Sequence, residues 1–118
     1  MIIKKFESFD NNIQELRNLC NDVLIELKDK SFVVNIEDMS NNSIVIEIYK
    51  EPWDFFTWES VKDYIISLLS LMEGDYQILN DGIDIFVQGY GTVNVKTNTI
   101  DEFKVDNNIF SISIDIKL

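Results

Sequence analysis

The C-terminal run Phe110-Ser111-Ile112-Ser113-Ile114-Asp115-Ile116-Lys117-Leu118 alternates apolar and polar residues without a break. Successive side chains of a β-strand point to opposite faces. Phe110, Ile112, Ile114, Ile116 and Leu118 therefore line one face, and Ser111, Ser113, Asp115 and Lys117 the other. A strand of this kind needs a neighbouring strand and a layer over its apolar side, so the fold must contain a sheet and something to cover it.

The rest of the chain supplies both. Ile13, Leu16, Cys20, Val23, Leu24 and Leu27 recur at offsets of three and four and predict an amphipathic helix ending near residues 28–30. Asn12 followed by Glu15 resembles a capping box at its start. Phe32, Val34 and Ile36, then Ile44, Ile46 and Ile48, alternate on either side of a turn at residues 38–42 and predict an antiparallel hairpin. After the break at Pro52, Thr57 is a natural N-cap and Glu59 suits the first turn of a second helix. Its stripe is Trp58, Val61, Ile65, Leu68 and Met72, and Gly74 ends it. Tyr76 to Leu79 and Ile83 to Val87 flank Asn80-Asp81-Gly82, which reads as a second hairpin with a type I′-compatible turn. Thr92 to Lys96 forms a shorter strand, and Asn98 to Asn108 is a polar loop interrupted by Phe103 and Val105. The order αββ, αββ, then further strands predicts one α+β domain over residues 1–118, with two helices on one face of a mainly antiparallel sheet. Two arrangements fit it. A constant offset superposes Leu24, Leu27 and Phe32 on Leu68, Leu71 and Tyr76, as in a duplicated αββ unit with extra C-terminal strands; a strand at Ile2 to Phe6 would instead make the front ferredoxin-like.

Residue usage removes whole mechanisms. The chain has no histidine and one cysteine, which excludes Ser-His-Asp and Cys-His nucleophile systems and a zinc centre. Gly89-Tyr90-Gly91 lacks both the third glycine and the following helix of a dinucleotide loop, and no phosphate-binding Lys-Ser/Thr motif occurs. Those glycines belong to a bulge or turn. Catalytic residues, cofactors and metal ligands are accordingly assigned to none. Asp81 with Asp84, and Asp101, Glu102 and Asp106, are the only carboxylate groupings with a claim to chemistry. Among 21 acidic residues such neighbours arise by chance, and a solvated surface is the reading adopted. Lone Cys20, on the apolar stripe, reads as a core residue.

The formal charge of −11 opposes direct binding to nucleic acid, where affinity comes from neutralising phosphates, and to anionic membranes. The longest nearly apolar stretch, Ile65 to Met72, is far short of the ~20 residues of a membrane span. The first residues have no secretory h-region, and an unpaired cysteine suits a reducing compartment. A soluble, cytoplasmic protein is expected, in the host cytoplasm if a phage encodes it. Alanine is absent and arginine occurs once, a usage that points to AT-rich coding DNA.

Two segments are candidates for binding a partner. Tyr49 to Trp58 concentrates Tyr49, Trp53, Phe55, Phe56 and Trp58. They either close one end of the core or present Trp53, Phe55 and Phe56 as an anchoring patch, since aromatics dominate interface hot spots. On the first helix Asn11, Glu15, Asn18, Asp22 and Glu26 share one stripe without a basic residue. It is either a solvated face or a row of carboxylates that imitates phosphates in the basic groove of a nucleic-acid enzyme. The C-terminal strand offers a third surface: at a sheet edge it would pair with a second copy as a homodimer, and in the sheet centre that route closes.

Ile3-Lys4-Lys5-Phe6-Glu7-Ser8-Phe9 resembles the short Lys/Phe-rich starts of proteins from T4-like tailed phages. Phe32 to Ile48, followed by Phe56-Thr57-Trp58-Glu59 and the leucine-rich helix, resembles small uncharacterised phage proteins with a helix-hairpin-helix-strand order. The resemblance spans about the first two thirds of the chain and brings no activity and no functional residue with it. The function expected is that of a non-enzymatic, macromolecule-binding protein of phage or mobile-element type. Its partner is a protein, with a basic surface if the acids are used, and the chain would inhibit a host defence or nucleic-acid enzyme through its acidic surface. An immunity protein against a basic toxin and a minor virion or assembly component are the alternatives.

Overall fold

A computed structural model of the protein describes the backbone of residues 2–39, 43–51 and 54–117 and the side chains of residues 14–38, 43–51 and 54–117. Two helices and six strands follow in the order α1 (Ile2–Asp29), β1 (Phe32–Met39), β2 (Ser43–Lys50), α2 (Trp58–Met72), β3 (Gln77–Ile78), β4 (Gly82–Val87), β5 (Gly91–Lys96) and β6 (Ile109–Lys117). This is an α+β fold. All strand pairs are antiparallel, and the sheet runs β1-β2-β6-β4-β5, with β3 also on β6.

The apolar alternation decides which face is covered. Ile44, Ile46 and Ile48 of β2 stand opposite Ile116, Ile114 and Ile112 of β6, and Ile85 of β4 stands opposite Ile112. All are fully buried, beneath Leu16, Cys20, Leu24 and Leu27 of α1 and Val61, Ile65, Leu68 and Met72 of α2, in one continuous core. Both helices thus lie on the same face, because each has a single apolar stripe to bury. Among the described residues no polar or charged side chain is buried. Trp58 is buried as well, and its indole N–H donates to the Phe103 carbonyl at 3.1 Å, which holds the returning loop across the start of α2. Thr57 caps that helix through Oγ1, which accepts from the Ser60 N–H.

Several expectations are corrected. Helix α1 starts at Ile2 and not at the Asn12 cap, because Ile2, Phe6 and Phe9 continue the three-and-four spacing and no proline or glycine interrupts it. Ile2 to Phe6 is therefore no strand, and the ferredoxin-like order does not arise. The αββ match is one of element order and not of residues, since its offset aligns buried Leu27 with Leu71, which is 54% exposed. Asn80 and Asp81 do adopt left-handed conformations (φ 62° and 53°), yet they do not close a hairpin. β3 and β4 run in the same direction along β6, and residues 79–81 loop out between them. The hairpin is β4–β5, turning through Gly89 and Gly91. Strand β6 is central, with β2 on one side and β4 on the other, so its backbone offers no edge and the homodimer expected through it loses its basis.

Candidate functional site

Two helices cover one face of the sheet and leave the other open. The open face is built in cross-strand rows. One runs Asn35, Glu47, Ser113, Asp84, Asn94 from β1 to β5, and the next runs Val33, Tyr49, Ser111, Phe86, Thr92. The first is polar throughout, and Asn94 donates to the Asp84 carboxylate at 2.9 Å. Beyond it lies Asp115, whose carboxyl is raised above its ordinary pKa, chiefly by partial burial and further by the charge of Asp84. The second row is different in kind, because Phe86 stands 45% exposed in it.

Phe86 does not stand alone. The β4–β6 register shifts between Phe86 and Val87, pairing Phe86 with Ser111 and Val87 with Ile109. Phe110 is left over as the bulged residue. Buried Ile109 takes the core position, and Phe110 leaves the core stripe assigned to it by simple alternation. Its ring lies edge-to-face on Phe86, centroids 5.2 Å apart, and on Phe55 at 4.7 Å. Phe55 is itself 39% exposed. A two-way backbone bridge between Phe56 and Ile109 (3.0 and 2.8 Å) fixes the approach of this segment. Adjacent residues of an extended segment point opposite ways, so Phe56 turns inward onto Phe32 at 5.0 Å and Phe55 turns outward. Three phenylalanines from three separate segments thus form one partly exposed cluster.

The predicted site residues divide accordingly. Phe55 belongs to the cluster, and Phe56 is core. Trp53 lies outside the described residues. Phe86 and Phe110 carried no signal as site residues, since a bulge depends on the register with a partner strand. Glu15, Asp22 and Glu26 are exposed on α1, in the opposite layer, so the acidic stripe and the aromatic cluster belong to different surfaces. Glu26 accepts a hydrogen bond from the Tyr64 hydroxyl at 2.6 Å, and none of the three acids meets a cation among the described residues.

Other groupings show no comparable assembly. Asp81 and Asp84 point to different surroundings, the looped turn and the open sheet. Asp101, Glu102 and Asp106 are exposed, and no group of three His, Cys, Asp or Glu among the described residues is arranged to hold a metal. A cleft of about 430 Å³ beside the end of α2 is lined by Leu69, Glu73, Tyr76, Asp81 and Asp101 among others, with no basic residue. Cys20 is buried, and burial pushes its thiol up to about 12. No helix among the described residues is long and apolar enough to cross a membrane.

No protein-family model matches the chain, and no curated protein or solved structure matches it.

Proposed function

We propose that this chain is a non-enzymatic protein-binding domain of phage or mobile-element type that docks through the open face of its sheet. The observation that supports this reading is the Phe55–Phe110–Phe86 cluster, which leaves aromatic rings partly in contact with water beside the polar row of the open sheet face. Aromatic side chains lose little conformational freedom on binding and bury much area, which makes such a cluster an anchor. The carboxylates of Glu47 and Asp84 in the adjoining row set the charge of the rim, so the partner is a protein with an apolar centre and basic surroundings.

The test replaces Phe86 with the photo-cross-linking residue benzoylphenylalanine in cells that make the protein, with a second probe at exposed Ile25 of α1. A discrete basic adduct from position 86, reduced by Phe55→Ser and not formed from position 25, is expected. Equal capture from both positions, or none from position 86, refutes the assignment.

The acidic stripe supports a second reading. Glu15 and Glu26 are eleven residues apart, about 16 Å along a helix, and with Asp22 between them they offer an exposed row of carboxylates that meets no cation among the described residues. As a mimic of phosphates this row would inhibit a nucleic-acid enzyme. Glu15, Asp22 and Glu26 changed together to lysine would abolish that inhibition and leave binding through the sheet face intact. Complexes through the stripe would also dissociate steeply with salt, and those anchored by phenylalanine would not.

A further inference from the structure

We propose that strand β1 is the edge along which a second copy of this chain adds, continuing the sheet across a twofold axis. The inference is independent of the open-face reading. β1 is eight residues long, matches β2 over its whole length and, among the described residues, has no strand on its other side. Proteins usually guard such an edge with lysine, proline, a bulge or a covering segment. Within Phe32–Met39 there is no lysine, proline or glycine, the β1–β2 register is unbroken, and Val33, Val34 and Ile36 favour extended pairing. The opposite edge, β5, is shorter at six residues and opens on a glycine.

The hydrogen-bond alternation shows which groups are on offer. Lys50, opposite Phe32, directs its carbonyl away from β1, to the Asp54 N–H at 2.9 Å. Ile36 directs its carbonyl away from β2, to Arg17 Nη1 at 3.4 Å. Residues two apart repeat this orientation, so Phe32, Val34, Ile36 and Asp38 aim their N–H and C=O groups outward. Only the Ile36 carbonyl is met among the described residues, by one long bond that leaves its second lone pair free.

An antiparallel twofold partner must bring outward residues opposite outward residues, which leaves a short set of registers. Charge selects among them. The acids of β1, Glu37 and Asp38, lie at one end, where Asp38 already pairs with Arg17 of α1 at 3.2 Å. Centring the axis on Val34 places Phe32 opposite Ile36 of the second copy. Each copy's Glu37 is then three residues from the axis. At about 3.4 Å per residue the two acids are roughly 20 Å apart along the strands, beyond the screening length at physiological salt. Centring on Ile36 would bring them to roughly 7 Å along the strands. The Val34 register also forms two backbone hydrogen bonds at each of three residue pairs.

Sedimentation equilibrium at micromolar protein, in 0.15 and 0.5 M sodium chloride, tests the proposal. A dimer that tightens with salt is expected, because screening relieves the repulsion between two chains of charge −11. Val34→Pro removes only an outward donor and leaves the β1–β2 ladder intact, as proline can at an edge. It is expected to weaken the dimer about tenfold or more with little change in circular dichroism. A nitroxide at Glu37→Cys requires no break in the strand, and its dipolar distance is expected near 20 Å between backbones. A monomer at both salt concentrations, a folded Val34→Pro protein that still dimerises unchanged, or a nitroxide pair far from 20 Å overturns the proposal.

Discussion

Gly82→Ala tests how closely β4 and β5 are packed. Gly82 is extended (φ −165°, ψ 179°), a conformation open to any residue, so torsional strain is not the obstacle. Space is. A Cβ at this position would lie 2.5 Å from the Val95 carbonyl oxygen, 3.0 Å from its carbon and 2.9 Å from Asn94 Oδ1. The Asn94 side chain can rotate away, whereas the Val95 carbonyl belongs to the β5 backbone. An ordinary carbon–oxygen contact is about 3.3 Å, so β5 must shift by roughly 0.8 Å. Overpacking of this size costs about 1–3 kcal/mol. Loss of unfolded-state freedom on changing glycine to alanine returns about 0.4–1 kcal/mol. The net is a destabilisation of about 1–2 kcal/mol, which for a chain of this size lowers Tm by roughly 4–8 °C. Gly74 is the control, with φ +88° and no atom within 4 Å of a built Cβ. Its alanine variant pays only for the left-handed backbone, about 1–2 kcal/mol. Asparagine, which tolerates that region, recovers part of the loss at Gly74 and none at Gly82. Urea unfolding of the four variants, with amide exchange followed along β5, measures the difference. A neutral or stabilising Gly82→Ala would show that the strands are not in contact there.

Three further outcomes follow from the packing. Trp58→Phe leaves the Phe103 carbonyl without its 3.1 Å donor and opens a void under the 100–108 loop, so a loss of about 2–3 kcal/mol in urea unfolding is expected, with faster exchange confined to that loop. Ile114→Ala, in the centre of the core, should cost about 2–5 kcal/mol, and Phe86→Ser, on the open face, less than about 2; equal losses would place Phe86 in the core instead. The Cys20 thiol is raised from 9.0 to about 12. Above pH 9 the unfolded chain loses this proton and the folded one keeps it, so stability falls with rising pH up to about 12, by about 1.4 kcal/mol per unit relative to Cys20→Ala. Below pH 9 the thiol adds no slope. Alkylation of native protein at pH 8 should accordingly wait on unfolding, and labelling within seconds would contradict the burial.

Patterns carried by one segment were legible before the fold. The stripe Val61, Ile65, Leu68 and Met72 and the isoleucines of β6 are buried as their spacing requires, because periodicity within an element determines its apolar face. Features that depend on a partner strand were not. Asn80-Asp81-Gly82 has the composition of a hairpin turn, and Asn80 and Asp81 take the positive φ values such a turn demands. Local chemistry sets the torsions, however, and not the pairing. Strand β6 occurs later in the chain and accepts both β3 and β4 along one side, so the turn becomes a loop-out. Phe110 illustrates the same limit at the candidate site. Its alternation with Ile112 assigns it to the core, and only the register against β4 turns it out to meet Phe55 and Phe86.

The same asymmetry explains why the open face, which takes only Phe55 from the aromatic segment read from the sequence, is a better candidate than the acidic stripe of α1. Two helices, each about 10 Å across, can cover only one side of a sheet whose strands lie about 4.8 Å apart. The other side must either be solvated or be covered by something else. The row from Asn35 to Asn94 is suited to solvent in every position. The neighbouring row is not, since Phe86 is joined there by Phe110, brought by a bulge, and by Phe55, held in place by the Phe56–Ile109 bridge. An acidic helix face needs no further explanation, because solvation alone accounts for Glu15, Asp22 and Glu26. Three partly exposed rings from separate segments are not what a solvated face requires, and a partner that covered them would bury apolar surface worth about 25 cal/mol per Å².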